Sequence, residues 1–261
     1  MKRPEDKHGG RMLIAEIGTS LCIIAIVWKL TSGSTSPFVP SLGLVLERFQ
    51  AIFLFDKMLS DLSRSVIRLV VTFVVAVGLG VTIGVVLGVS RTARLMSQPV
   101  VTYLRSIPPP AMVPVAFVLL GHGDRMIIAI AIFVCLWPIV LNTQDGIAEL
   151  DRTMMASARA YGLSGKRRLF LIILPAISPR IFAGMRISLT FAFIMVIITE
   201  IMAATEGLGY LLTRARNSFN IPDMWASILM IGVMGYLSTI LFGMVERRVL
   251  RWHRESRRSI E

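Results

Sequence analysis

The stretch ASARAYGLSGKRRLFLIILP, Ala156 to Pro175, places Arg159, Lys166, Arg167 and Arg168 in the middle of a chain otherwise suited to lipid. Just upstream, ELDRTMMASARAYGL sets Leu150, Met154, Ala158 and Tyr161 at helical spacing on one face. Gly162 ends that helix, because glycine accepts the left-handed conformation of a helix C-terminus. SGKRRLFLIIL then restarts with Ser164 as N-cap and Leu169, Ile172 and Ile173 as the apolar face. Pro175 and Pro179 are expected to stop this second helix. The local pattern is helix, tight turn, helix, inside a connector of residues 146–179, which is long enough to carry structure and function of its own.

On either side of this connector the chain is apolar. It has 261 residues, 54% hydrophobic and 17% charged, with a mean hydropathy of +0.70. So little charge is the signature of a surface solvated largely by lipid. Six segments are candidates to cross a bilayer, where about 20 apolar residues are needed: Leu13–Leu30, Leu69–Val89, Ala111–Gly121, Met126–Leu141, Ile187–Ala204 and Trp225–Val245. The third is short and follows SIPPP, so it is expected to be broken or tilted. Six spans put both ends on one side. The segments assigned to the inner side hold 19 Lys and Arg, against six (Arg48, Lys57, Arg64, Arg125, Arg214 and Arg216) on the outer side. That bias makes the tails 1–12 and 247–261 cytoplasmic. The N-terminal run lacks a small-residue cleavage site and reads as a retained first span.

The net charge of +12 does not indicate nucleic acid, because the basic residues lie between apolar runs and form no face interleaved with aromatics. Cys22 and Cys135 sit inside apolar runs, and His8, His122 and His253 are dispersed without a nucleophile or metal partner. No metal site or phosphate-binding Gly-x4-Gly-Lys-Ser/Thr loop is present.

Ala76, Gly80, Gly84 and Gly88 recur every four residues, a smooth stripe that lets another helix approach closely. Residues 41–69 alternate apolar and charged positions and read as one or two amphipathic helices at the outer interface. Glu200 lies deep in the fifth span. It either pairs with Arg186 or faces a translocation path, or it sits at the outer interface where water reaches it. Arg68 and Arg186, at span ends, read as snorkelling anchors. Pro110 and Pro114, with Pro108 and Pro109, are expected to bend the third span; broken helices often line substrate paths, and they also occur as plain kinks where neighbours re-satisfy the backbone.

The spacing from Gly162 over nine residues to Ile172-x-Leu174-Pro175 resembles the signature loop of binding-protein-dependent ABC importer permeases, Glu-Ala-Ala-x3-Gly-x9-Ile-x-Leu-Pro. Here Ala156, Ser157 and Ala158 stand where the family usually has Glu-Ala-Ala. RSIPPPAMVPVAFVLLGHG, WPIVLNTQDGI, LPAISPRIFAGMRISL and TEIMAATEGLGYLL are similar to segments of the subgroup that handles sulfonates, taurine, nitrate and pyrimidine precursors. The likeness covers roughly residues 60–252. It implies an all-α type I importer permease of the bacterial inner membrane, without a catalytic site of its own. Its partners would be a second permease subunit, commonly an identical copy, a pair of separate ATPase subunits carrying ATP and Mg, and an extracytoplasmic solute-binding protein. The loop from Ala156 through Ser157, Ala158, Arg159, Tyr161, Gly162, Leu163, Lys166, Arg167 and Arg168 to Leu169 would be the coupling helix that docks on the ATPase. The same resemblance implies a re-entrant or short outer helix at EGLGYLL, near the binding-protein contact. The competing readings are an ATP-independent channel or secondary transporter and a membrane-embedded enzyme.

Overall fold

The computed structural model describes residues 38–55 and 59–251, together with Thr19, Ile26, Trp28, Lys29 and Thr31. The expected first span, Leu13–Leu30, and both tails therefore fall wholly or largely outside the described residues. Every regular element among the described residues is helical. Contacts divide the chain into two compact units, residues 60–210 with 231–261, and residues 1–59 with 211–230.

Among the described residues there are four long apolar helices and one bent pair, and the last of the four, Ile221–Val249, begins in the smaller unit. Helix α2 is Leu59–Val89, preceded in the chain by α1, Leu42–Gln50. Helix α3 is Arg91–Ser106, and α4 is Val113–Leu120 behind a short 3-10 turn, Pro109–Met112. Helix α5 is Asp124–Ala148. The connector supplies α6, Arg152–Ala160, and α7, Gly165–Arg168; then come α8, Leu174–Ala203, α9, Leu208–Asn217, and α10, Ile221–Val249. The segment expected as the third span is the second arm of a broken pair: α3 and Pro109–Leu120 meet at 84°. Pro108, Pro109 and Pro110 remove three successive backbone donors at that corner, which is why the helix cannot continue through it.

Helix α2 begins ten residues before the apolar run from Leu69, so the second half of the expected interfacial segment is the first part of a span. Its inward stripe runs Ser65, Arg68, Thr72, Ala76, Gly80 and Gly84, all buried, while Val70, Val74 and Val86 are exposed on the apolar outer face. The glycine stripe packs on α5. A Cβ on Gly84 would lie 2.6 Å from Thr143 Cβ, and one on Gly80 would lie 2.8 Å from Ile139 Cβ. From the other side α8 approaches α5 equally closely, with a Cβ on Gly184 falling 2.9 Å from the Pro138 carbonyl.

Pro175 and Pro179 do not stop the second helix of the connector, contrary to the expectation from sequence. A π-turn, Leu169–Ile173, joins α7 to α8, and Gly165–Ala203 is one helical run of 39 residues. At 1.5 Å per residue that run is about 58 Å long, nearly twice the hydrocarbon thickness. Pro175 follows directly on the π-turn, at whose end the Leu174 amide donates to the Leu169 carbonyl five residues back, a local widening of the ladder that accommodates the missing donor. Pro179 lacks the N–H that would serve the Pro175 carbonyl, and the Ser178 hydroxyl donates to that oxygen instead, at 2.8 Å.

In the smaller unit, Ser41 caps α1, its hydroxyl accepting from the Leu44 amide. Arg48 of α1 donates twice to the Asp223 carboxylate, at 2.7 and 3.1 Å, and the Trp225 indole donates to the Phe38 carbonyl.

The close approach of α2 and α5 is testable by adding one methyl group. Gly84→Ala should lower the thermal stability of the detergent-solubilised protein by about 1–3 kcal/mol through overpacking. Gly78→Ala, where a Cβ meets nothing within 4 Å, should be neutral or stabilising. Equal effects at both positions would contradict the packing.

Candidate functional site

Two regions gather the functional candidates, one at each end of the long helices. The first is the connector. Asp151 caps α6 by accepting from the Thr153 amide at 2.8 Å. Gly162, at φ +72°, closes the helix: the Leu163 amide donates to the Ala158 carbonyl and the Gly162 amide to the Arg159 carbonyl. Gly165 turns the chain again at φ +50°. Ser164 occupies the N-cap position of α7, but its side chain makes no capping bond.

The connector is fastened to the bundle by its apolar side. Leu150, Met155 and Leu169 pack on the buried cluster Ile173, Ile177 and Ile181 of the long helical run, and Ala158 is also buried. Arg180 pairs with Glu149, tying the start of the connector to α8. Ile172, Leu174 and Pro175 are half-buried in the same run. Water-facing positions are Ala156, Ser157, Arg159, Tyr161, Gly162, Lys166 and Arg167, while Leu163, Arg168 and Leu169 are half-buried. Tyr161 departs from expectation. It is 85% exposed instead of joining the Leu150–Ala158 face, because it caps α6 where the backbone leaves helical geometry.

The second region lies at the opposite ends of α2, α5 and α8. Glu200 of α8 is fully buried, and the guanidinium that meets it belongs to Arg68, 4% exposed. Arg68 Nη1 donates to Glu200 Oε1 at 2.6 Å and to the Glu206 carbonyl at 2.8 Å, while its Nε and Nη2 donate to Asp124 Oδ1 at 2.9 and 2.6 Å. The Ser65 hydroxyl lies 2.8 Å from both Glu200 oxygens, and the Gly209 amide donates to Oε2 at 3.0 Å. Asp61 accepts from the Gly207 amide at 2.6 Å, and Arg64 pairs with Glu206. With three elements supplying hydrogen bonds, a charged pair can persist in a medium of low polarity. Gly207, at φ +114°, makes the arrangement possible, since a Cβ there would lie 2.5 Å from Glu200 Oε1. A short helix, α9, follows and begins within the EGLGYLL segment.

Two expectations are corrected here. Arg186 pairs with Glu246, not with Glu200. Arg68 is not a snorkelling anchor, because its head group is enclosed by carboxylates. The sequence held a signal for this: stepping back from Ala76 by fours along the glycine stripe reaches Thr72 and then Arg68, the face that turns inward.

Three cavities follow α5 from end to end. One of about 600 Å³ sits at its first turn, lined by Arg64, Arg68, His122, Asp124 and Glu206. Another, of about 510 Å³, lies midway, between Pro109, Phe133, Trp137, Pro138 and Phe191. The last, of about 410 Å³, lies near its final turns beside Arg94, Gln98, Thr102 and Gln144. Arg105 and Leu141 line both the second and the third. Pro110 and Pro114, expected on the path, are exposed and line none of these cavities; Pro109 is the proline of that run that does. Glu200 is locked in its ion network and lines none of them either.

Comparison with known proteins gives a consistent placement. The sequence pattern of the family described as "Binding-protein-dependent transport system inner membrane component" matches residues 76–251. A probable ABC transporter permease of Brucella melitensis is 31% identical over 86% of this chain and 92% of its own length. The taurine transport system permease protein TauC of Escherichia coli is 27% identical over 94% of this chain and 92% of its own. Among solved structures, an inward-facing MetNI methionine ABC transporter shares the fold at a TM-score of 0.66 and 19% identity, over 74% of this chain and 95% of that one.

The ion network should behave as a buried pair. Glu200→Met should cost about 3–5 kcal/mol in thermal unfolding, because Arg68 is left charged and partly unpaired. The double substitution Glu200→Met with Arg68→Met should cost less than Glu200→Met alone. Additive losses in a double-mutant cycle would contradict the coupling.

Proposed function

This chain belongs to the binding-protein-dependent transport inner-membrane components and is the permease subunit of an ABC importer; from that premise we propose how its parts divide the work. The connector is the docking element for a separate ATPase, which carries the ATP and Mg and performs the hydrolysis. The permease works as a pair of subunits, commonly two copies of this chain, with the connector and both termini on the cytoplasmic side. A solute-binding protein meets the opposite face. The cargo is a small solute of the sulfonate, taurine, nitrate or pyrimidine-precursor kind, and taurine is what the Escherichia coli relative is named for.

One observation carries the docking assignment. The connector presents an exposed tyrosine and three exposed basic residues, while its apolar side is packed on a single helical run of 39 residues that ends beside Glu200. A push on α6 and the Gly162 turn is therefore delivered to a rigid lever. The lever reaches the ion network at the other end, so closure of an ATPase pair would move both ends together. Alternating access then follows from two packings of the same helices, with ATP binding favouring one of them. Ala156 places a methyl group where the family usually has a carboxylate. Docking in this chain therefore rests on Tyr161, the Gly162 turn and the basic residues Arg159, Lys166 and Arg167.

Affinity purification of the tagged full-length chain from its native membrane should bring down an ATP-hydrolysing subunit. Deleting Gly162–Arg168 should abolish that association. Tyr161→Ala combined with Lys166→Glu should weaken it at least tenfold while leaving the melting temperature unchanged, since these side chains face water. An undiminished complex in both variants would contradict the docking role.

A further inference from the structure

The cavity near the final turns of α5 lies at a definite depth. Twenty residues on from Arg68 and from Asp124, which meet in the ion network, α2 reaches Gly88 and α5 reaches Gln144. Those two positions are level, since a Cβ on Gly88 would lie 3.3 Å from the Gln144 Cα. At 1.5 Å per residue the cavity is about 30 Å from the network, which is one hydrocarbon thickness. It therefore sits where a bilayer gives way to its head groups, on the connector's side.

Its lining is mixed. Helix α3 contributes Arg94, Gln98 and Arg105, which share one helical face, and α5 contributes Gln144 and Asp145. Among the described residues neither Arg94 nor Arg105 takes part in an ion pair, and no ion pair joins α3 to α5. Gln144 is 6% exposed, and its side-chain nitrogen has no hydrogen-bond partner. A buried amide donor left unmade is costly, and such groups in native proteins call for an explanation. Two guanidiniums against one carboxylate leave one positive charge in excess. The rest of the wall is apolar, formed by Leu95, Val101 and Leu141. Leu95 is also exposed, and Met96, Val100 and Tyr103 continue an exposed apolar face along α3. A cationic, donor-bearing recess thus opens onto apolar surface at head-group depth.

We propose that this cavity binds the phosphodiester head group of an anionic phospholipid, with Arg94, Arg105 and the Gln144 amide on its oxygens and its chains against Leu95, Met96 and Val100. The inference does not rest on the transport reading; it needs only that the long helices cross a bilayer. Each guanidinium presents paired donors that match two phosphate oxygens, and the Gln144 amide supplies one more. The single excess positive charge matches the one negative charge of a phosphodiester, and basic pockets between spans at this depth suit acidic lipids. Val101 and Leu141 meet the glycerol and the first methylenes. With the head group in place, α3 and α5 share a charged link that their own side chains do not make.

The test uses purified full-length chain in neutral detergent and follows binding by native mass spectrometry and by melting temperature. The probes are phosphatidylglycerol, phosphatidylcholine, glycerol 3-phosphate and inorganic phosphate. Phosphatidylglycerol should bind at least tenfold more tightly than phosphatidylcholine and raise the melting temperature by about 5 °C at saturation. Arg94→Gln combined with Arg105→Gln should abolish that preference while melting like wild type in phosphatidylcholine, since neither arginine makes an ion pair. Arg247→Gln combined with Arg248→Gln removes the same charge from exposed positions at the end of α10 and should keep the preference. Gln144→Met should melt no lower than wild type without lipid, because it removes the unmade donor, and should gain less from phosphatidylglycerol. Undiminished preference in the Arg94 and Arg105 variant, or equal loss in the Arg247 and Arg248 variant, would overturn the site. A Gln144→Met protein that melts lower and gains the full rise would remove Gln144 from it. Glycerol 3-phosphate or inorganic phosphate binding as tightly as phosphatidylglycerol would assign the cavity to a soluble phosphate and overturn the lipid.

Discussion

Two helices reach the backbone of α5 because glycines remove the side chains that would hold them away. Gly80 and Gly84 bring α2 to one face, and Gly184 of α8 with Gly146 of α5 brings the second helix to another. In lipid there is little hydrophobic gain from pressing apolar helices together, so close van der Waals packing must supply the specificity. Once α5 is held on both sides, its two ends become fixed points. Asp124 at its start is presented to Arg68, and Glu149 just past its end is presented to Arg180. The second and third cavities follow the side of α5 that faces α3 and the proline corner.

The buried ions need that same packing. Arg68 and Glu200 sit on helices that never touch in sequence, and their enclosure depends on α2 and α8 both lying against α5. Hydrogen bonds from Ser65 and the Gly209 amide complete the carboxylate's partners, and the Glu206 carbonyl and Asp124 complete those of the guanidinium. A polar network of this kind has few alternative arrangements, so it is suited to report a shift of α8 as a discrete change and not as a gradual one.

Much of this was legible in the residues. The glycine stripe foretold a close helix contact, Gly162 foretold the turn, and SIPPP foretold a broken helix, since each rests on a local steric rule. What was not legible depended on partners distant in the chain. Glu200 could not be assigned to Arg68, because 132 residues separate them and Arg186 is far nearer in sequence. Pro175 and Pro179 read as stops, because propensity does not reveal that a π-turn and the Ser178 hydroxyl would absorb the missing donors. Tyr161 fits an apolar face by periodicity, yet a cap residue no longer obeys the period. Pro110 and Pro114 bend the helix as their type requires, but which proline of the run lines a cavity is set by an 84° bend whose direction no local pattern encodes.

On the reading proposed above, closure of an ATPase pair on the connector drives a solute through the bundle around α5. The most direct measurement is uptake of labelled taurine and hexanesulfonate into proteoliposomes that contain the chain with its co-purified ATPase, and the cognate binding protein outside. The account predicts uptake of at least one of these solutes only when hydrolysable ATP is present on the side where the connector faces, and none with a non-hydrolysable analogue. Equal uptake by the chain alone, without ATPase or ATP, would contradict it.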